Sequence, residues 1–330
     1  HNRHTGGDRI MFSDNKSAIS GPDANLFSDS KSAISRPDAN LSNEKFNHDI
    51  IHSDNHVHTY FSTDSDTPME EMLKTAIDKK FTSICFTDHM DYNFPSESDT
   101  PEFLLDVEPY FDEMKKLSEK YSDRIKIRKG IELGLKKDCL DKCLSLTKNY
   151  PFDFVIGSTH LVDNIDPYYD IFWEGTDEKN AILRYYETTL DNVNLGADFD
   201  VYGHIDYIIR YTPKMKQLKA KGIVDDSYID RLLKDSMEII EEILKTLISN
   251  GKGIEINTAG FKYGLGHPNP HEKVLKLYHE LGGEIITIGS DAHECKHLAY
   301  DFEKVPEILK NCGFRYYSEF TGRKAAMVKI

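Results

Sequence analysis

The chain has 330 residues, of which 39% are hydrophobic, and its formal net charge is −15. This charge argues against a protein that grips nucleic acid through a broad basic face, although bound metal ions could still reverse the local field for a small anionic substrate. No run approaches the roughly 18 apolar residues of a membrane helix, and no secretory signal pattern is visible, so we expect no membrane partner.

The five cysteines form no pattern typical of a disulfide framework, which favours a reduced, cytoplasmic protein. Cys139 and Cys143 are four residues apart in a helical pattern. They could be half of a metal site or two buried thiols on one helix face. We favour buried thiols, because a zinc site needs two further ligands nearby.

The first 48 residues differ in composition from the rest. Residues 12–26, FSDNKSAISGPDANL, recur almost unchanged as residues 27–41, FSDSKSAISRPDANL. Polar residues and proline dominate, so the segment cannot bury enough apolar surface to offset its ordering entropy, and two copies are too few for a solenoid. We therefore predict a disordered extension over residues 1–48 and one domain over residues 49–330. The chain opens on His1, and we expect Met11 to be a native start.

From about residue 50, short apolar runs alternate with amphipathic helical patterns. We predict strands at residues 51–58, 83–89, 125–133, 154–160, 200–204, 253–257 and 285–290. We predict helices at residues 68–80, 107–121, 177–195, 226–250 and 271–281. Pro68 is a favoured residue of a first helical turn, and Gly251 is a typical residue after a helix end. Such alternation is typical of parallel strands with helical crossovers, and about 280 residues of it suit a barrel of the TIM type. We predict that residues 315–330 form a hairpin around Thr321 and Gly322.

Histidine and carboxylate side chains recur where these strands end, or in the loop just beyond. They are His56, His58, Asp64, His89, Glu132, His160, His204, Asp291 and His293. The spacing of two between His56 and His58 points both rings to one face, and Asp291 and His293 share this spacing. At any single position a histidine could simply cap a strand, but six of the fourteen histidines lie at strand ends. Because active sites of parallel barrels lie at the carboxyl ends of the strands, we predict that the nine side chains meet there. Nine ligands exceed the needs of one zinc ion and suit two or three ions with a bridging carboxylate.

Other polar residues lie close to these ligands. Asp54, Asp88 and Asp206 could orient imidazoles, or they could be capping or surface residues. Arg210 follows the fifth strand into the predicted mouth, where a guanidinium could grip phosphate bidentately; a surface salt bridge is the alternative. Lys262, after the sixth strand, is a weaker candidate for the same role.

At these residues the sequence resembles the polymerase and histidinol phosphatase (PHP) superfamily, and within it the PHP-type histidinol-phosphatases. The matching stretches are DNHVHTYFSTDSDTPMEEML, ICFTDHMDY, GIELGL, FDFVIGSTHLVD, YGHIDYIIRY, GIEINTAG and GGEIITIGSDAHE. They span nearly the whole chain after residue 50. Any one of these motifs is unspecific, but the combination is specific.

The resemblance implies a distorted TIM-like (β/α)7 barrel with a trinuclear metal centre. It implies three ligand groups: His56, His58, Glu132 and Asp291; His160 and His204, with Glu132 bridging; and Asp64, His89 and His293. Glu132, Asp291 and Arg210 would be the residues of catalysis, and Arg210 and Lys262 would contact phosphate. Some family members have histidine at the position of Asp64, so the third group could differ in metal preference. Histidine and carboxylate ligands suit zinc, iron and manganese alike.

The activity that the resemblance implies is hydrolysis of a phosphomonoester, above all L-histidinol phosphate, as part of histidine biosynthesis. Coordination would bring the pKa of water towards 7 and so supply the nucleophile. Acidic loops at residues 88–91 and 163–170 would place negative charge around the mouth, where the cationic end of this small molecule would lie. One alternative is a PHP-type 3′–5′ exonuclease or nucleotide phosphoesterase, against which the acidic charge and the lack of attached polymerase modules count. Another is a metal-binding module without turnover, which the complete ligand set disfavours. The sequence does not indicate an oligomeric state.

Overall fold

The structure is a computed structural model that describes residues 50–95 and 102–330. The predicted extension over residues 1–48 lies outside the described residues, so its boundary stays a prediction. No helix in the described ranges is long and apolar enough to cross a bilayer.

Strands and helices alternate through most of the described chain. The strands are β1 (Ser53–Val57), β2 (Ser83–Phe86), β3 (His89–Met90), β4 (Lys126–Gly134), β5 (Phe154–Ser158), β6 (Val201–Tyr202), β7 (Gly253–Asn257), β8 (Ile286–Gly289), β9 (Tyr316–Thr321) and β10 (Lys324–Lys329). The helices are α1 (Met69–Asp78), α2 (Val107–Lys120), α3 (Leu140–Asn149), α4 (Glu178–Val193), α5 (Pro213–Ala220), α6 (Asp226–Ser249), α7 (Ala259–Lys262), α8 (Glu272–Glu280) and α9 (Val305–Asn311).

The sheet is a nearly closed barrel of seven parallel strands. The order is β1-β2-β4-β5-β6-β7-β8, and β3, which follows β2 after a two-residue break, pairs with β4. The barrel closes between its first and last strands, where His58 N donates to Ala292 O and Asp291 N donates to His56 O, both at 2.8 Å. We call this pair of hydrogen bonds the seam. The seven predicted strands and the barrel are thereby confirmed.

The helices form where the sequence provides an apolar stripe and suitable ends. In α6 the buried residues recur at helical spacing, Asp225 accepts a hydrogen bond from Tyr228 N at 3.0 Å, and Gly251 follows the end of the helix with a φ of 67°. The five predicted helices are confirmed, with ends that shift by at most two residues. The predicted helix list lacks α3, α5, α7 and α9, which have between four and ten residues.

The strands end earlier than predicted where they carry the histidines. The fifth predicted strand covered residues 200–204, but β6 ends at Tyr202, and His204 has a φ of 20°. The second predicted strand breaks before His89. The chain has therefore left the ladder at His204, whereas His89 lies in β3, where it pairs with Glu132.

The predicted C-terminal hairpin is confirmed as β9 and β10, and it covers the amino ends of the barrel strands. Phe320 stacks on Phe154, the first residue of β5, with ring centroids 5.1 Å apart. Arg128 donates to Phe320 O at 3.3 Å, and Arg323 bonds to Asp200, which immediately precedes β6, at 2.7 Å. We call this region, defined by Arg128, Phe154, Phe320 and Arg323, the base.

Candidate active site

All nine predicted ligands meet at the carboxyl ends of the strands, and we call this group the rim. Its members are His56, His58, Asp64, His89, Glu132, His160, His204, Asp291 and His293. Glu132, on β4, lies at the centre of the group, and its side chain is fully buried. Asp64 is the most exposed member, with 41% of its side chain accessible.

One oxygen of Glu132 faces the two histidines of the first strand. Glu132 Oε2 lies 3.0 Å from His56 Nε2 and 3.3 Å from His58 Nε2. Asp291 Oδ1 approaches the same two nitrogens, at 3.6 Å and 3.3 Å respectively. Two imidazole nitrogens and two carboxylate oxygens therefore surround one small space.

The other oxygen of Glu132 faces a second pair of histidines. Glu132 Oε1 lies 3.1 Å from His160 Nε2 and 3.0 Å from His204 Nε2. Ser158 Oγ donates to the same oxygen at 2.7 Å. The two oxygens of Glu132 thus face different groups, as a bridging carboxylate would.

The third group lies at the outer side of the rim. Asp64 Oδ2 is 3.2 Å from His293 Nε2 and 3.6 Å from His89 Nε2. The second ring nitrogen of His89 is 3.2 Å from Glu132 Oε2. His89 therefore links the third group to the central carboxylate, a contact that the predicted grouping did not contain.

The shifted pKa values of rim residues indicate that bound positive charge would stabilise the site. Burial alone would raise the pKa of Glu132, but neighbouring histidines, first of all His56, lower it well below its usual range. Burial alone would lower the pKa of His56, yet Glu255, Glu132 and Asp291 raise it well above its usual range. Divalent cations would take the place of the protons that these carboxylates otherwise hold on the rings.

Several nitrogens of the rim have no hydrogen-bond partner within residues 50–95 and 102–330. They are His89 Nδ1, His204 Nδ1 and His293 Nε2, all of them buried. Three sets of ligand-type atoms also lie within 4.8 Å of one another: His58, His89 and His293; His56, His58 and Asp291; and His89, Glu132 and His160. A set of nitrogen and oxygen donors with unpartnered nitrogens fits divalent metal ions.

Carboxylates behind the rim orient two of its imidazoles. Glu255 Oε1 accepts from His56 Nδ1 at 2.5 Å, and Asp91 Oδ2 accepts from His160 Nδ1 at 2.6 Å. Each bond holds the proton on Nδ1, which leaves Nε2 of the same ring as the free ligand atom. A Cβ at Gly289 would lie 2.6 Å from Glu255 Oε1, so only glycine leaves room for this carboxylate.

The three aspartates that the sequence suggested for this task do not contact a ligand imidazole. Asp54 accepts from Ser290 N at 3.0 Å, and Asp206 accepts from Asn269 Nδ2 at 2.6 Å. Asp88 accepts from Ser62 Oγ at 2.7 Å, and Ser62 Oγ in turn accepts from His58 Nδ1 at 3.1 Å. The alternative of capping residues is therefore correct, and Asp88 acts on His58 only through a hydroxyl.

The sequence offered a signal for Glu255 that the prediction did not use. Glu255 and Asn257 alternate with Ile254 and Ile256 along β7. Strand alternation places the isoleucines on one face and the polar pair on the other, inside the barrel. A carboxylate at a fully buried interior position needs a partner, and a nearby ligand histidine supplies one.

Arg210 lies inside the mouth and not at the surface, so the alternative of a surface salt bridge is excluded. Its guanidinium donates to Asn269 Oδ1 at 2.7 Å, to Asn257 Oδ1 at 3.1 Å and to Asp291 Oδ2 at 3.3 Å. The ring of Tyr263 lies 4.8 Å from the guanidinium carbon. A guanidinium has five N–H groups, so two remain for a ligand.

A cavity of about 410 Å³ opens above the rim. Rim residues and Arg210 form its floor, and aromatic residues, including Phe103, Tyr168 and Tyr207, form its walls. Lys262 does not line it, so its predicted contact with phosphate stays a prediction. Such a volume suits a small organic molecule.

The two cysteines on one helix face are buried thiols, as favoured. Cys139 and Cys143 are each 1% exposed. No group of three ligand-type side chains in the described part of the chain includes a cysteine. The predicted metal chemistry therefore stays with the histidines and carboxylates of the rim.

Comparisons with known proteins agree with this geometry. A family model for the PHP domain matches residues 54–259. Histidinol-phosphatase of Lactococcus lactis subsp. lactis is 31% identical over 82% of this chain and 95% of its own length. A probable histidinol-phosphatase of Thermotoga maritima is 32% identical over 84% of this chain and 99% of its own length.

The fold is shared with a solved structure. The crystal structure of histidinol phosphate phosphatase from Lactococcus lactis subsp. lactis, complexed with zinc, L-histidinol and phosphate, superposes with a TM-score of 0.72. The two chains are 30% identical, and the match covers 83% of this chain and 98% of the other. The predicted PHP-type barrel is confirmed, and the chain belongs to the PHP domain family.

Proposed function

We propose that the protein hydrolyses L-histidinol phosphate to L-histidinol and phosphate with the help of two to three divalent metal ions. The observation that carries the proposal is the arrangement of Glu132, whose two oxygens face two different pairs of histidines beside a buried Arg210. The relatives named histidinol-phosphatase, and the solved relative with zinc, L-histidinol and phosphate, support the same activity. The protein is an enzyme, a metal-dependent phosphoric monoester hydrolase.

The rim residues would hold the metal ions in the three predicted groups. His56, His58, Glu132 and Asp291 form the first group, His160 and His204 form the second with Glu132 shared, and Asp64, His89 and His293 form the third. When bound, such ions polarise phosphate oxygens and lower the pKa of coordinated water. Glu255 and Asp91 hold Nδ1 of His56 and His160, so that Nε2 of each ring would be available to an ion.

Arg210 binds the phosphate and neutralises its charge. Asn257 and Asn269 hold the guanidinium in one orientation, so its two free N–H groups point in a fixed direction before substrate arrives. Its one carboxylate partner in the described residues is Asp291, at 3.3 Å, so a dianionic phosphate would add further compensation for the buried charge. Tyr263 covers one face of the guanidinium and keeps water from it.

The substrate is a small phosphate ester and not a nucleic acid strand. The acidic composition and the size of the cavity, about 410 Å³, support this choice. A cytoplasmic location is part of the same proposal, because the five cysteines are free and histidinol phosphate is a metabolic intermediate.

The test is metal content and substrate preference measured on one preparation. Elemental analysis should find two to three transition-metal ions per chain, and prolonged chelation should remove the phosphatase activity until divalent metal is added back. The kcat/KM for L-histidinol phosphate should exceed the values for p-nitrophenyl phosphate, a nucleoside monophosphate and a short DNA strand. Full activity without detectable metal contradicts the metal assignment. A tenfold or greater preference for DNA or for the nucleotide contradicts the substrate assignment.

A further inference from the structure

We propose that Asp166 is the residue that recognises the cationic end of the substrate, by placing a free carboxylate oxygen among the aromatic walls of the cavity. This inference rests on the proposed function, since it assumes a phosphate ester that carries an amine or an imidazole. It assigns specificity to one residue among several acidic residues near the mouth.

The two acidic residues of the first predicted acidic loop, residues 88–91, already accept hydrogen bonds from other residues of the protein. Asp88 is fully buried and accepts hydrogen bonds from the hydroxyl groups of Thr59 and Ser62. Asp91 also lines the cavity, but its Oδ2 holds His160 Nδ1 and its Oδ1 is buried. Neither carboxylate can meet a substrate ammonium without giving up the orientation of the rim.

Two acidic residues from the second loop, residues 163–170, point away from the cavity. Asp163 binds Arg184 through both oxygens, at 2.7 Å and 3.0 Å. Asp170 pairs with Lys216 at 2.6 Å, and 87% of its side chain is exposed. Neither residue lines the cavity, whereas Asp166, between them in sequence, does.

Asp166 lines the cavity, and only one of its two oxygens takes part in hydrogen bonds with the described residues. Asp166 Oδ1 accepts from Tyr168 N at 2.8 Å and from Tyr207 Oη at 3.2 Å. Oδ2 makes no hydrogen bond or ion pair with any residue in the ranges 50–95 and 102–330. A carboxylate with one fixed and one free oxygen is a preorganised acceptor for a charged donor.

The surroundings of Asp166 suit an organic cation. Tyr168 packs edge-on against Tyr211 with ring centroids 5.7 Å apart, and both rings line the cavity with Tyr169. Aromatic faces attract ammonium and imidazolium groups, and more strongly where water is excluded. A cation is therefore favoured here by the carboxylate and by the rings together.

Tyr207 fixes the distance between the two ends of the site. Its ring lies 5.0 Å from the ring of His204, and its hydroxyl reaches Asp166. The guanidinium carbon of Arg210 lies 5.6 Å from the same ring. Asp166 is thus separated from the phosphate-binding floor by about one tyrosine side chain, which matches a short amino alcohol ester with opposite charges at its ends.

A purely structural role is the competing explanation, because Oδ1 supports the turn at Tyr168. The substitution Asp166→Asn separates support of the turn from recognition of the cation. An amide oxygen can still accept both hydrogen bonds, but the negative charge is lost. Asp163→Asn is the matched control, because it removes the same charge three residues earlier without touching the cavity. Metal content and melting temperature should be measured for both variants, to show that each is folded and loaded.

The measurement is the ratio of kcat/KM for L-histidinol phosphate to kcat/KM for glycerol phosphate, an ester without a cation. Asp166→Asn should lower this ratio by about tenfold or more, as expected for the loss of a charge-assisted hydrogen bond. L-histidinol should inhibit this variant about tenfold less well than wild type, whereas inhibition by inorganic phosphate should change much less. Asp163→Asn should keep the ratio within about twofold of wild type.

The outcomes separate the two proposals. If wild type shows no preference for L-histidinol phosphate over glycerol phosphate, the proposed function fails, and L-histidinol inhibition alone then decides the role of Asp166. If wild type prefers L-histidinol phosphate but Asp166→Asn lowers both kcat/KM values equally and leaves L-histidinol inhibition unchanged, the role of Asp166 is overturned while the function stands.

Discussion

The rim and the base lie at opposite ends of the same strands, and they bury polar groups in different ways. At the base, Arg323 bonds to both Asp198 and Asp200. Arg128 bonds to Ser53 and to Phe320 O, and of the base residues in the described ranges only Arg128 has a buried side-chain atom, Nε, without a hydrogen-bond partner. At the rim, three imidazole nitrogens have no hydrogen-bond partner within the described ranges, and three acidic side chains lie among six histidines.

The backbone shows the same contrast. Two rim residues, His204 and Asp291, have positive φ values of 20° and 55°. At the base, β9 and β10 pair in regular antiparallel register, and the positive φ values at Gly322 and Arg323 lie in the turn that joins them. Strained backbone and unpartnered polar atoms cost stability, so they persist where a function requires them and where the rest of the fold compensates. We infer that the base stabilises the barrel, whereas the rim is suited to a ligand that brings positive charge.

The largest expected effect is at the centre of the rim. Glu132→Gln should lower kcat/KM by about a thousandfold or more, because it removes the charge shared by two groups of histidines. Elemental analysis should show less bound metal in the same variant. Glu319→Gln, on β9 at the base, is the control and should leave kcat/KM and metal content close to wild type. If Glu132→Gln keeps most of the wild-type rate, its bridging role is wrong.

The next effect should fall on stability and not on turnover. Phe320→Ala removes a buried ring that stacks on Phe154, which should lower the free energy of unfolding by about 3–5 kcal/mol and Tm by on the order of 10 °C. Well below the new Tm, kcat/KM should stay within about threefold of wild type. Tyr316→Ala, which removes an exposed ring from the same strand, should change Tm little. A large loss of turnover in folded Phe320→Ala would show that the two ends of the barrel are coupled.

A smaller effect should mark the phosphate contact. Arg210→Ala should lower kcat/KM by about 10- to 100-fold through a higher KM, a lower kcat or both, because a charge-assisted contact worth about 1.5–3 kcal/mol is lost. Arg210→Lys keeps the charge, but one ammonium group cannot replace the guanidinium bonds to both Asn257 and Asn269. It should therefore recover only part of the lost kcat/KM. Steady-state kinetics with inorganic phosphate as inhibitor measures the contact directly. Full activity of Arg210→Lys would mean that charge alone matters there.

The smallest effect should come from the N-terminal segment. Deletion of residues 1–47 should leave kcat/KM within about twofold and Tm within about 2 °C of wild type, because the repeat has no core-forming pattern. Kinetics and thermal unfolding of the shortened chain check this. A marked loss of Tm would show that the segment stabilises the barrel.

The sequence predicted the barrel and the rim because both follow from periodic patterns. Apolar runs with alternating helices predict parallel strands, and the spacing of two in His56 and His58 predicts a shared face. The sequence places Asp64 at the mouth by its position in the loop after the first strand, but its grouping with His89 and His293 comes only from the family resemblance, since no periodicity fixes the side chains of a loop.

The contacts behind the rim could not be predicted from these patterns. Asn269 lies in a loop after α7, 59 residues from Arg210 in sequence, and only the packed structure brings the two side chains together. Similarly, the residues 163–170 all appeared equivalent as an acidic loop. Their roles differ because the local turn directs Asp163 to Arg184 and Asp166 to the cavity.

The seam has a consequence for how the enzyme becomes active. Ser290 N bonds to Asp54 Oδ1 across 236 residues of chain, and His56 and Asp291 meet beside that bond. Contacts between such distant parts of a chain form late in folding, because the entropy of closing so long a loop is lost before the contacts can compensate it. The first and last ligands therefore come together only when every intervening strand is in place. A partly synthesised or partly refolded chain cannot present the complete set of ligands, so metal uptake should report the completion of folding, and the barrel should not gain activity in stages.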